Sequence, residues 1–279
     1  MFLNLRRKYL DKFRENANID VGGNIRIKAK QYRSEDFGFS KKEELLAEYR
    51  YKTEAHAHTS PASTCGQVSP EETVKTYAGL GYNGLVLTNH FIYDYNYMKG
   101  RSKEDGIKKY LSDYYEAVEF GKKNGLNVIL GAEIRFTENC NDYLVYGIDE
   151  KMLLEIYELL PYGIENFRKN YSMPKSVFLQ AHPFRDGMED VDATLLDGIE
   201  IFNMHPEHKS RNAIANLFAN KNNLNIKIAG SDFHFLGGKD RSVSAILTRK
   251  MPKDSFEFAE ILKSGDYLLQ IGNNAVIFP

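Results

Sequence analysis

Two pairs of potential metal ligands, far apart in the chain, constrain the fold of this protein most strongly. His56 and His58 stand two residues apart, and Asp232 and His234 repeat that spacing near the other end of the chain. Residues i and i+2 of an extended strand point to the same face, so each pair presents two ligands side by side. Imidazole and carboxylate groups suit zinc, iron and manganese. A fold that uses both pairs at one metal centre must bring distant strand ends together.

From residue 51 onward, predicted strands alternate with predicted helices. The run at 84–88 is continuously apolar, as in a parallel strand covered on both faces, and Ser69-Pro70-Glu71-Glu72 has the capping pattern of a helix start. Further strands are predicted at 51–57, 127–134, 143–147, 176–181, 198–203, 226–230 and 243–248, and further helices near 106–124, 150–160, 207–221 and 253–264. This order predicts an α/β fold built on a parallel sheet, open or closed.

The first fifty residues differ in composition from the rest of the chain. They are rich in charged residues and Asn and contain few apolar runs. We predict helices near 2–16 and 41–49 and an extended piece near 25–33. Residues 1–50 are therefore expected to form an N-terminal extension on the outside of the main domain, with a substrate lid or an oligomer arm as the alternatives. Residues 51–279 are expected to form one domain.

Charge and cysteine content narrow the functional classes. The 279-residue chain has a formal net charge of −1, which gives no overall attraction to nucleic acids or anionic membranes. Cys65 and Cys140 are too few for a disulfide framework, so reduced thiols are expected. No apolar run reaches the length of a membrane span, and the first residues lack signal-peptide features. We expect a cytoplasmic protein without membrane association and without a stable nucleic-acid partner.

Potential metal ligands follow several of the predicted strands. In parallel α/β folds the carboxyl ends of the strands lie on one rim, where ligands bind. Each residue alone has an ordinary explanation, such as a hydrogen-bonded loop histidine or a capping turn. Their joint placement at strand ends instead predicts a polynuclear metal site. The residues are His56, His58, His90, Glu133, His182, Asn203, Asp232 and His234.

The order of these motifs resembles the PHP (polymerase and histidinol phosphatase) superfamily. The match runs from residue 51 to about 245 and includes the HxH pair, Thr88-Asn89-His90, Glu133, His182-Pro183 and Ser231-Asp232-Phe233-His234. The resemblance implies a distorted seven-stranded β/α barrel that binds two or three divalent transition-metal ions (zinc, iron or manganese). It also implies hydrolysis of phosphoesters by a metal-bound hydroxide.

The resemblance further implies how the ligands are divided among the ions. A first metal would be bound by His56, His58, Glu133 and Asp232, a second by Glu133 and His182, and a third by His90 and His234.

Three positions depart from the family's pattern. Cys65 stands where many members have Asp; a thiolate ligand there would favour zinc or iron over manganese, and a small turn residue is the alternative. Asn89 stands where Asp is common and would orient His90 less strongly. A histidine that is common between Glu133 and His182 is missing, and either Asp142 replaces it or the second metal keeps extra water.

Basic residues near these motifs are candidates for contacts with a phosphate group. Arg185 follows His182-Pro183 and could hold phosphate oxygens with its planar guanidinium; a surface arginine is the alternative. Arg135 lies two residues after Glu133, and Lys239 and Arg241 follow the second ligand pair. His205 is a candidate to protonate the leaving oxygen.

The leading hypothesis is a phosphoesterase that acts on a small phosphorylated substrate, such as histidinol phosphate, another phosphomonoester or a nucleotide. One alternative is a metallohydrolase of C–N bonds, against which the absence of an obvious carboxylated-lysine ligand counts mildly. Another is a nuclease acting on short oligonucleotides, for which Tyr93, Tyr95 and Tyr97 would form a stacking platform rather than a pocket wall. A non-catalytic PHP-like module is the least favoured, because most ligands are present.

Overall fold

The computed structural model describes residues 42–236, 244–272 and 275–279. The chain divides into two compact units, Met1–Glu48 and Tyr49–Pro279. The described residues of the first unit form one helix, α1 (Lys42–Glu48). The segments predicted near 2–16 and 25–33 lie outside the described residues.

The second unit alternates strands and helices over most of its length. Its strands are β1 (Tyr51–Ala57), β2 (Gly84–Leu87), β3 (His90–Ile92), β4 (Asn127–Leu130), β5 (Ala132–Arg135), β6 (Asp142–Tyr146), β7 (Val177–Gln180), β8 (Gly198–Asn203), β9 (Ile226–Gly230), β10 (Ser244–Thr248), β11 (Leu268–Ile271) and β12 (Ala275–Ile277). Its helices are α2 (Pro70–Gly79), α3 (Lys103–Asn124), α4 (Glu150–Leu159), α5 (Gly163–Asn170), α6 (Asn212–Lys221) and α7 (Ser255–Ser264). Short 3₁₀ turns lie at Asn96–Met98, Leu160–Tyr162 and Ala193–Leu195.

The described strands form two six-stranded sheets. The first has the order β12-β11-β10-β1-β2-β4, and the second has the order β3-β5-β6-β7-β8-β9. In the first sheet, β2 is parallel to both β1 and β4, whereas β10 is antiparallel to β1. In the second sheet, β8 is parallel to both β7 and β9, whereas β6 is antiparallel to both β5 and β7. The α/β class is therefore confirmed, but the sheets are mixed rather than parallel. They are not closed into the seven-stranded barrel that the resemblance implied.

A strand break at Gly131 explains part of this difference. The strand predicted at 127–134 splits there into β4 of the first sheet and β5 of the second. A Cβ at residue 131 would lie 2.8 Å from Val86 Cγ1 and 2.9 Å from Thr88 Cγ2, so the close approach requires glycine. Gly131 N still donates to Leu87 O at 2.9 Å, which keeps the neighbouring segments paired across the break.

Local capping signals set the helix boundaries. Helix α2 begins after Ser69, which accepts a hydrogen bond from Glu72 N, and the Glu72 side chain completes the predicted capping box. Helix α3 ends at Gly125, which has a left-handed backbone with φ of 70°. Helix α6 begins at Asn212, so the prediction of a helix from 207 was wrong at its start.

The hydrophobic core takes side chains from both sheets and from several helices. Its largest members include Phe91, Tyr110, Tyr146, Phe167, Phe178 and Phe258. Strand β1 is buried from Thr53 to Ala57, although it carries Glu54 and His56. Ionisable groups are costly to bury without partners, so their presence in a central strand indicates a specific use. Among the described residues, no helix combines the length and apolar character needed to cross a membrane.

Candidate metal centre

The two ligand pairs found in the sequence lie side by side in the structure. Ala57, at the end of β1, forms an isolated parallel bridge with Phe233, and His58 N donates to Phe233 O at 2.9 Å. As a result, Asp232 Oδ1 lies 3.4 Å from His56 Nε2 and 3.3 Å from His58 Nε2. The two imidazole Nε2 atoms are 3.1 Å apart.

Glu133, on β5, contacts two further histidines, His90 and His182, beside the two ligand pairs. Its Oε1 atom lies 3.0 Å from His182 Nε2 and 3.3 Å from His56 Nε2. Its Oε2 atom lies 2.8 Å from His90 Nδ1 and 3.4 Å from His58 Nε2. A carboxylate with imidazoles at both oxygens has the arrangement of a ligand shared between two cations.

Among the described residues, four overlapping triplets could each hold a metal ion, because the three ligand atoms of each triplet lie within 4.8 Å of one another. They are His58–His90–His234, His56–Glu133–His182, His56–His58–Asp232 and His90–Glu133–Asp142. Triplets that share members are suited to neighbouring divalent ions with common ligands. Asp142 also lies 3.8 Å from His182 Nε2, so the structure brings this alternative oxygen ligand into the cluster.

Unpartnered buried atoms test whether these residues fit a metal. His90 Nδ1 and Glu133 Oε2 are buried and 2.8 Å apart, yet neither makes a hydrogen bond. Nearly all buried polar atoms in proteins have a hydrogen-bond partner. A cation bound between these two atoms would supply the missing partner, so the donor set fits divalent metal ions.

The electrostatics of the metal-free cluster favour the metal-binding forms of the carboxylates. Burial raises the pKa of Glu133, but His90 and His56 beside it lower that pKa well below its usual value. Burial also raises the pKa of Asp232, and the neighbouring His56 and His58 more than reverse this. Burial, followed by the charge of His234, lowers the pKa of His58 well below its usual value. Ionised carboxylates and neutral imidazoles are the forms that bind metals.

Two candidate ligands have an uncommon backbone conformation. The φ angles of His182 and Asp232 are 28° and 51°, in the left-handed region that side chains other than Gly, Asn and Asp seldom adopt. Residues in such conformations persist where surrounding contacts hold them, and they concentrate at functional sites.

Cys65 lies at the outer edge of the cluster. The residue is exposed, while its Sγ atom lies 3.1 Å from His234 Nε2. Burial of the sulfur raises the pKa of the thiol, but hydrogen bonds with His234 and His90 outweigh this effect and lower the pKa to about 6. With this pKa the thiolate of Cys65 predominates at neutral pH, and the thiolate is the form that binds metals.

Arg185 contacts the cluster directly. Its Nη2 atom donates to Asp232 Oδ2 at 2.5 Å and to Asn203 Oδ1 at 2.9 Å. Its Nε atom is buried and has no hydrogen-bond partner. The side chain is 13% exposed, so this arginine lies within the site rather than on the open surface.

His205 lies next to the cluster, and its role as a proton donor stays a prediction. Its ring centroid is 5.1 Å from that of His234. Burial is the main cause that lowers the pKa of His205 to about 4, so the ring is neutral at pH 7 in the metal-free site. Its Nδ1 atom accepts a hydrogen bond from Glu207 N at 3.3 Å.

The remaining basic candidates are placed differently. Arg135 donates from Nε and Nη2 to the two oxygens of Asp142, at 2.7 and 2.8 Å, so its planar face is already paired with a carboxylate. Lys239 and Arg241 lie outside the described residues, and their roles remain predictions.

The tyrosines after β3 do not form a continuous stacking surface. Tyr97 is buried and accepts a hydrogen bond from Ile92 N at 2.8 Å. Tyr93 is 43% exposed and stacks on Tyr157, with ring centroids 5.1 Å apart. Tyr95 bonds to the hydroxyl of Thr64, next to Cys65.

Two buried glutamates lie beside the ligands and were not predicted from the sequence. Glu200, on β8, lies 2.9 Å from His56 Nδ1 through its Oε1 atom. Glu54, on β1, accepts hydrogen bonds from the backbone nitrogens of His56 and Ser231, both at 2.9 Å. A charged residue inside an apolar strand, as in Ile199-Glu200-Ile201, was the available signal.

No known family's sequence profile matches the chain, and no curated protein matches it. Among solved structures, one neighbour is a two-domain protein from Bacteroides vulgatus that contains a predicted PHP-like metal-dependent phosphoesterase; the TM-score is 0.53 at 16% identity. The alignment covers 80% of this chain, which spans 65% of that protein's length.

Two further neighbours are more distant. A protein from Bifidobacterium adolescentis, described provisionally as a metal-dependent phosphoesterase, has a TM-score of 0.45 at 17% identity, with 76% of this chain and 95% of that chain covered. An amidohydrolase from Chromobacterium violaceum with bound sulfate and no metal has a TM-score of 0.42 at 15% identity, with 65% and 87% covered. On the strength of the Bacteroides structure, this chain has a PHP-like fold, as the order of its sequence motifs predicted.

Proposed function

We propose that this protein is a metal-dependent hydrolase that cleaves phosphate esters of small molecules. The observation that carries the proposal is the cluster around Glu133, where buried histidine and carboxylate atoms converge and two of them, His90 Nδ1 and Glu133 Oε2, have no hydrogen-bond partner. An arginine with an unpartnered Nε atom lies against the same cluster. Metal ions neutralise charge on a phosphoryl group, and an arginine beside them adds a further donor to its oxygens, so this combination suits phosphoryl chemistry.

The residues that would hold the metals are those of the four triplets, with Cys65 as a further ligand at the edge. Their mixture of nitrogen, oxygen and sulfur donors suits zinc, iron or manganese. Divalent ions bound there would neutralise phosphate charge and lower the pKa of bound water. The ligands are His56, His58, His90, Glu133, Asp142, His182, Asp232 and His234.

Arg185 would orient the phosphate group. The bonds from Nη2 to Asp232 and Asn203 fix the guanidinium plane, and Nε remains available for a phosphate oxygen. A charge-assisted contact of this kind stabilises the transition state most when negative charge grows on the oxygen it touches.

His205 would interact with the leaving oxygen. Because its Nδ1 atom accepts from Glu207 N, the ring hydrogen of the neutral side chain is on Nε2. A hydrogen bond donated from Nε2 would support departure of the alcohol, with proton transfer completed as the oxygen becomes basic.

A small substrate is favoured over a polynucleotide. The net charge of −1 provides no general attraction to a phosphate backbone. The tyrosines that could have stacked on bases have other contacts: Tyr97 is buried, Tyr93 stacks on Tyr157, and Tyr95 bonds to Thr64.

The test combines metal analysis with a substrate panel. Protein purified without chelators should retain roughly two or more transition-metal ions per chain. It should hydrolyse a phosphomonoester from a panel that also contains dinucleotides, short RNA and an N-acyl amino acid, with Mn²⁺, Fe²⁺ or Zn²⁺ added. His58→Ala should lose metal and activity together while its far-UV circular dichroism is retained.

The matched control is His208→Ala, because His208 is an exposed histidine whose ring lies 4.4 Å from that of His205. It should keep the metal content of the wild type. Less than one ion per chain in the wild type would contradict the metal centre. Turnover of the amide but of no phosphoester would replace the phosphoesterase by a C–N hydrolase.

A further inference from the structure

Glu200 is a fully buried carboxylate that the proposed chemistry leaves unused. It lies on β8 between Ile199 and Ile201, and its side chain is 0% exposed. An isolated buried carboxylate would be strongly destabilising, so its partners should reveal what it does.

The two oxygens of Glu200 contact two different candidate ligands. Oε1 lies 2.9 Å from His56 Nδ1. Oε2 accepts hydrogen bonds from His182 N at 2.8 Å and from Asn203 Nδ2 at 3.0 Å. One side chain therefore joins β1, the segment after β7 and the end of β8.

The contact with His56 determines which ring nitrogen is free. An ionised carboxylate can only accept hydrogen bonds, so His56 Nδ1 must carry the hydrogen. The lone pair of the neutral ring is then on Nε2, which lies 3.3 Å from Glu133 Oε1 and 3.4 Å from Asp232 Oδ1. Hydrogen bonds to the second nitrogen of a ligating histidine orient the ring and raise its basicity.

The contact with His182 stabilises an unfavourable backbone conformation. His182 has a φ of 28°, and its N–H is held by Glu200 Oε2. This turn directs the side chain back to the cluster, where His182 Nε2 lies 3.0 Å from Glu133 Oε1.

Gly230, at the end of β9, provides the space for the Glu200–His56 pair. A Cβ at this position would overlap both Glu200 Oε1 and the His56 side chain. The end of β9 therefore leaves room for the hydrogen-bonded side chains of Glu200 and His56, in addition to pairing with the backbone of β8.

We propose that Glu200 is a positioning residue that directs His56 Nε2 into the metal centre and holds the left-handed turn at His182. The proposal rests on the proposed function, since it assigns Glu200 a role toward metals bound there. It predicts that the carboxylate, and not merely a side chain of the same size, is required for tight metal binding.

Glu200→Gln tests this requirement with little change in volume. The partners of Oε2 are both N–H donors, so an amide NH₂ placed there would face two donors. With the amide reversed, its NH₂ would face His56 Nδ1 and would put the ring hydrogen on Nε2, toward the metals. The control is Asp113→Asn, another buried carboxylate, which accepts from Thr59 Oγ1 and Ala62 N and contacts no candidate ligand side chain in the described structure.

The first measurement is the affinity of metal-free protein for Zn²⁺ alone, by competition with a chromophoric chelator. Glu200→Gln should bind Zn²⁺ about 10- to 100-fold more weakly than the wild type. Asp113→Asn should keep the wild-type affinity even if it unfolds at a lower denaturant concentration. Gly230→Ala should weaken binding in the same direction as Glu200→Gln, because it forces the pair apart.

The second measurement is the position of the ring hydrogen of His56, from long-range ¹H–¹⁵N spectra. The hydrogen should be on Nδ1 in the wild type, both with Zn²⁺ and in metal-free protein at alkaline pH, and it should shift or become mixed in Glu200→Gln. If Glu200 had a purely structural role, Glu200→Gln would lower the stability of the protein without moving the ring hydrogen of His56.

Two results would overturn the proposal. One is wild-type Zn²⁺ affinity together with an unchanged His56 hydrogen in Glu200→Gln. The other is an equal loss of affinity in Asp113→Asn. If the wild type binds no metal, the proposed function fails, while the metal-free spectra still decide whether Glu200 controls the His56 ring.

Discussion

Arg185 donates to the candidate ligand Asp232 and has an Nε atom without a hydrogen-bond partner. Replacing Arg185 by Ala should lower kcat/KM for a phosphomonoester by ~10²-fold or more, about 2.7 kcal/mol of transition-state stabilisation. Metal content should be retained, because Asn203 Nδ2 still donates to Asp232 Oδ2 at 3.1 Å. Arg185→Lys should recover only part of the rate, since an ammonium cannot make the same planar contacts. Steady-state kinetics and elemental analysis measure the two effects.

Arg211 supplies the matched control for this prediction. It lies near Arg185, where it donates to Phe184 O at 2.6 Å and pairs with Asp186. Arg211→Ala removes an equal charge without touching Asp232, so its kcat/KM should remain near the wild-type value. A wild-type rate in Arg185→Ala would show that the phosphate contact must be sought elsewhere.

Cys65 should react faster than Cys140 with an alkylating reagent. Both residues are exposed, but hydrogen bonds with His234 and His90 lower the pKa of Cys65 to about 6 despite the opposing effect of burial. At pH 7 its sulfur is mostly thiolate, the nucleophilic form. Peptide mapping by mass spectrometry after limited iodoacetamide treatment of metal-free protein gives the two rates.

Zn²⁺ should protect Cys65 and leave the labelling of Cys140 unchanged, because a coordinated thiolate is no longer a free nucleophile. Equal labelling of Cys65 with and without Zn²⁺ would mean that this residue is a turn residue and not a ligand. Cys65→Asp should then also fail to improve activity with Mn²⁺, for which oxygen ligands are better suited.

Helices and strands that depend on local signals could be predicted from the sequence better than those that depend on contacts between distant segments. The start of α2 could be predicted because Ser69, Pro70 and Glu72 are close in sequence and bond to one another. The split at Gly131 could not, because it depends on Val86 and Thr88 of a neighbouring strand. The antiparallel strand β6 was also missed as such, since the direction of a strand depends on the path of the chain around it.

The same difference between local signals and contacts of distant segments applies to the candidate site. Ligands at strand ends could be identified because their residue types and spacing are readable along the chain. The roles of Glu54 and Glu200 could not be identified in this way: a charged residue in an apolar strand is visible in the sequence, but the groups it contacts are distant, such as Ser231 for Glu54 and His182 for Glu200.

The capping box of α2 gives a prediction for an element. Ser69→Ala removes the acceptor for Glu72 N, now 3.3 Å away, and should lower the free energy of unfolding by about 1 kcal/mol. Ser69→Asp keeps an acceptor at the same position and should restore most of the loss. Urea unfolding curves of the three proteins measure the difference, and identical midpoints would show that the cap contributes nothing in this context.

Glu54 connects elements of the protein that are distant in sequence. Its Oε1 atom accepts from the backbone nitrogens of Ala55, His56 and Ser231, at 2.9 to 3.0 Å. Its Oε2 atom accepts from Tyr77 OH of α2 at 3.1 Å and from the hydroxyl of Ser231. Burial is the largest influence on this carboxyl and raises its pKa from 4.5 to about 7, although the hydrogen bonds with Ser231 oppose the shift.

This raised pKa predicts how stability depends on pH. Because the folded pKa lies above the unfolded one, the contribution of Glu54 to stability is fully present below pH 4.5 and is lost as pH rises through about 7. Glu54→Gln resembles the protonated side chain, since its amide can donate to the hydroxyls of Tyr77 or Ser231, which also accept. The variant should therefore lack this loss.

The measurement is the difference in free energy of unfolding between Glu54→Gln and the wild type, from urea titrations of metal-free protein between pH 4.5 and 8. Groups that titrate in both proteins cancel in this difference, so what remains belongs to residue 54. The difference should move in favour of the variant as pH rises toward 7 and should level off above it. A difference that is constant with pH, or that moves in favour of the wild type, would mean that Glu54 is ionised across the whole range. The five hydrogen bonds would then outweigh its burial.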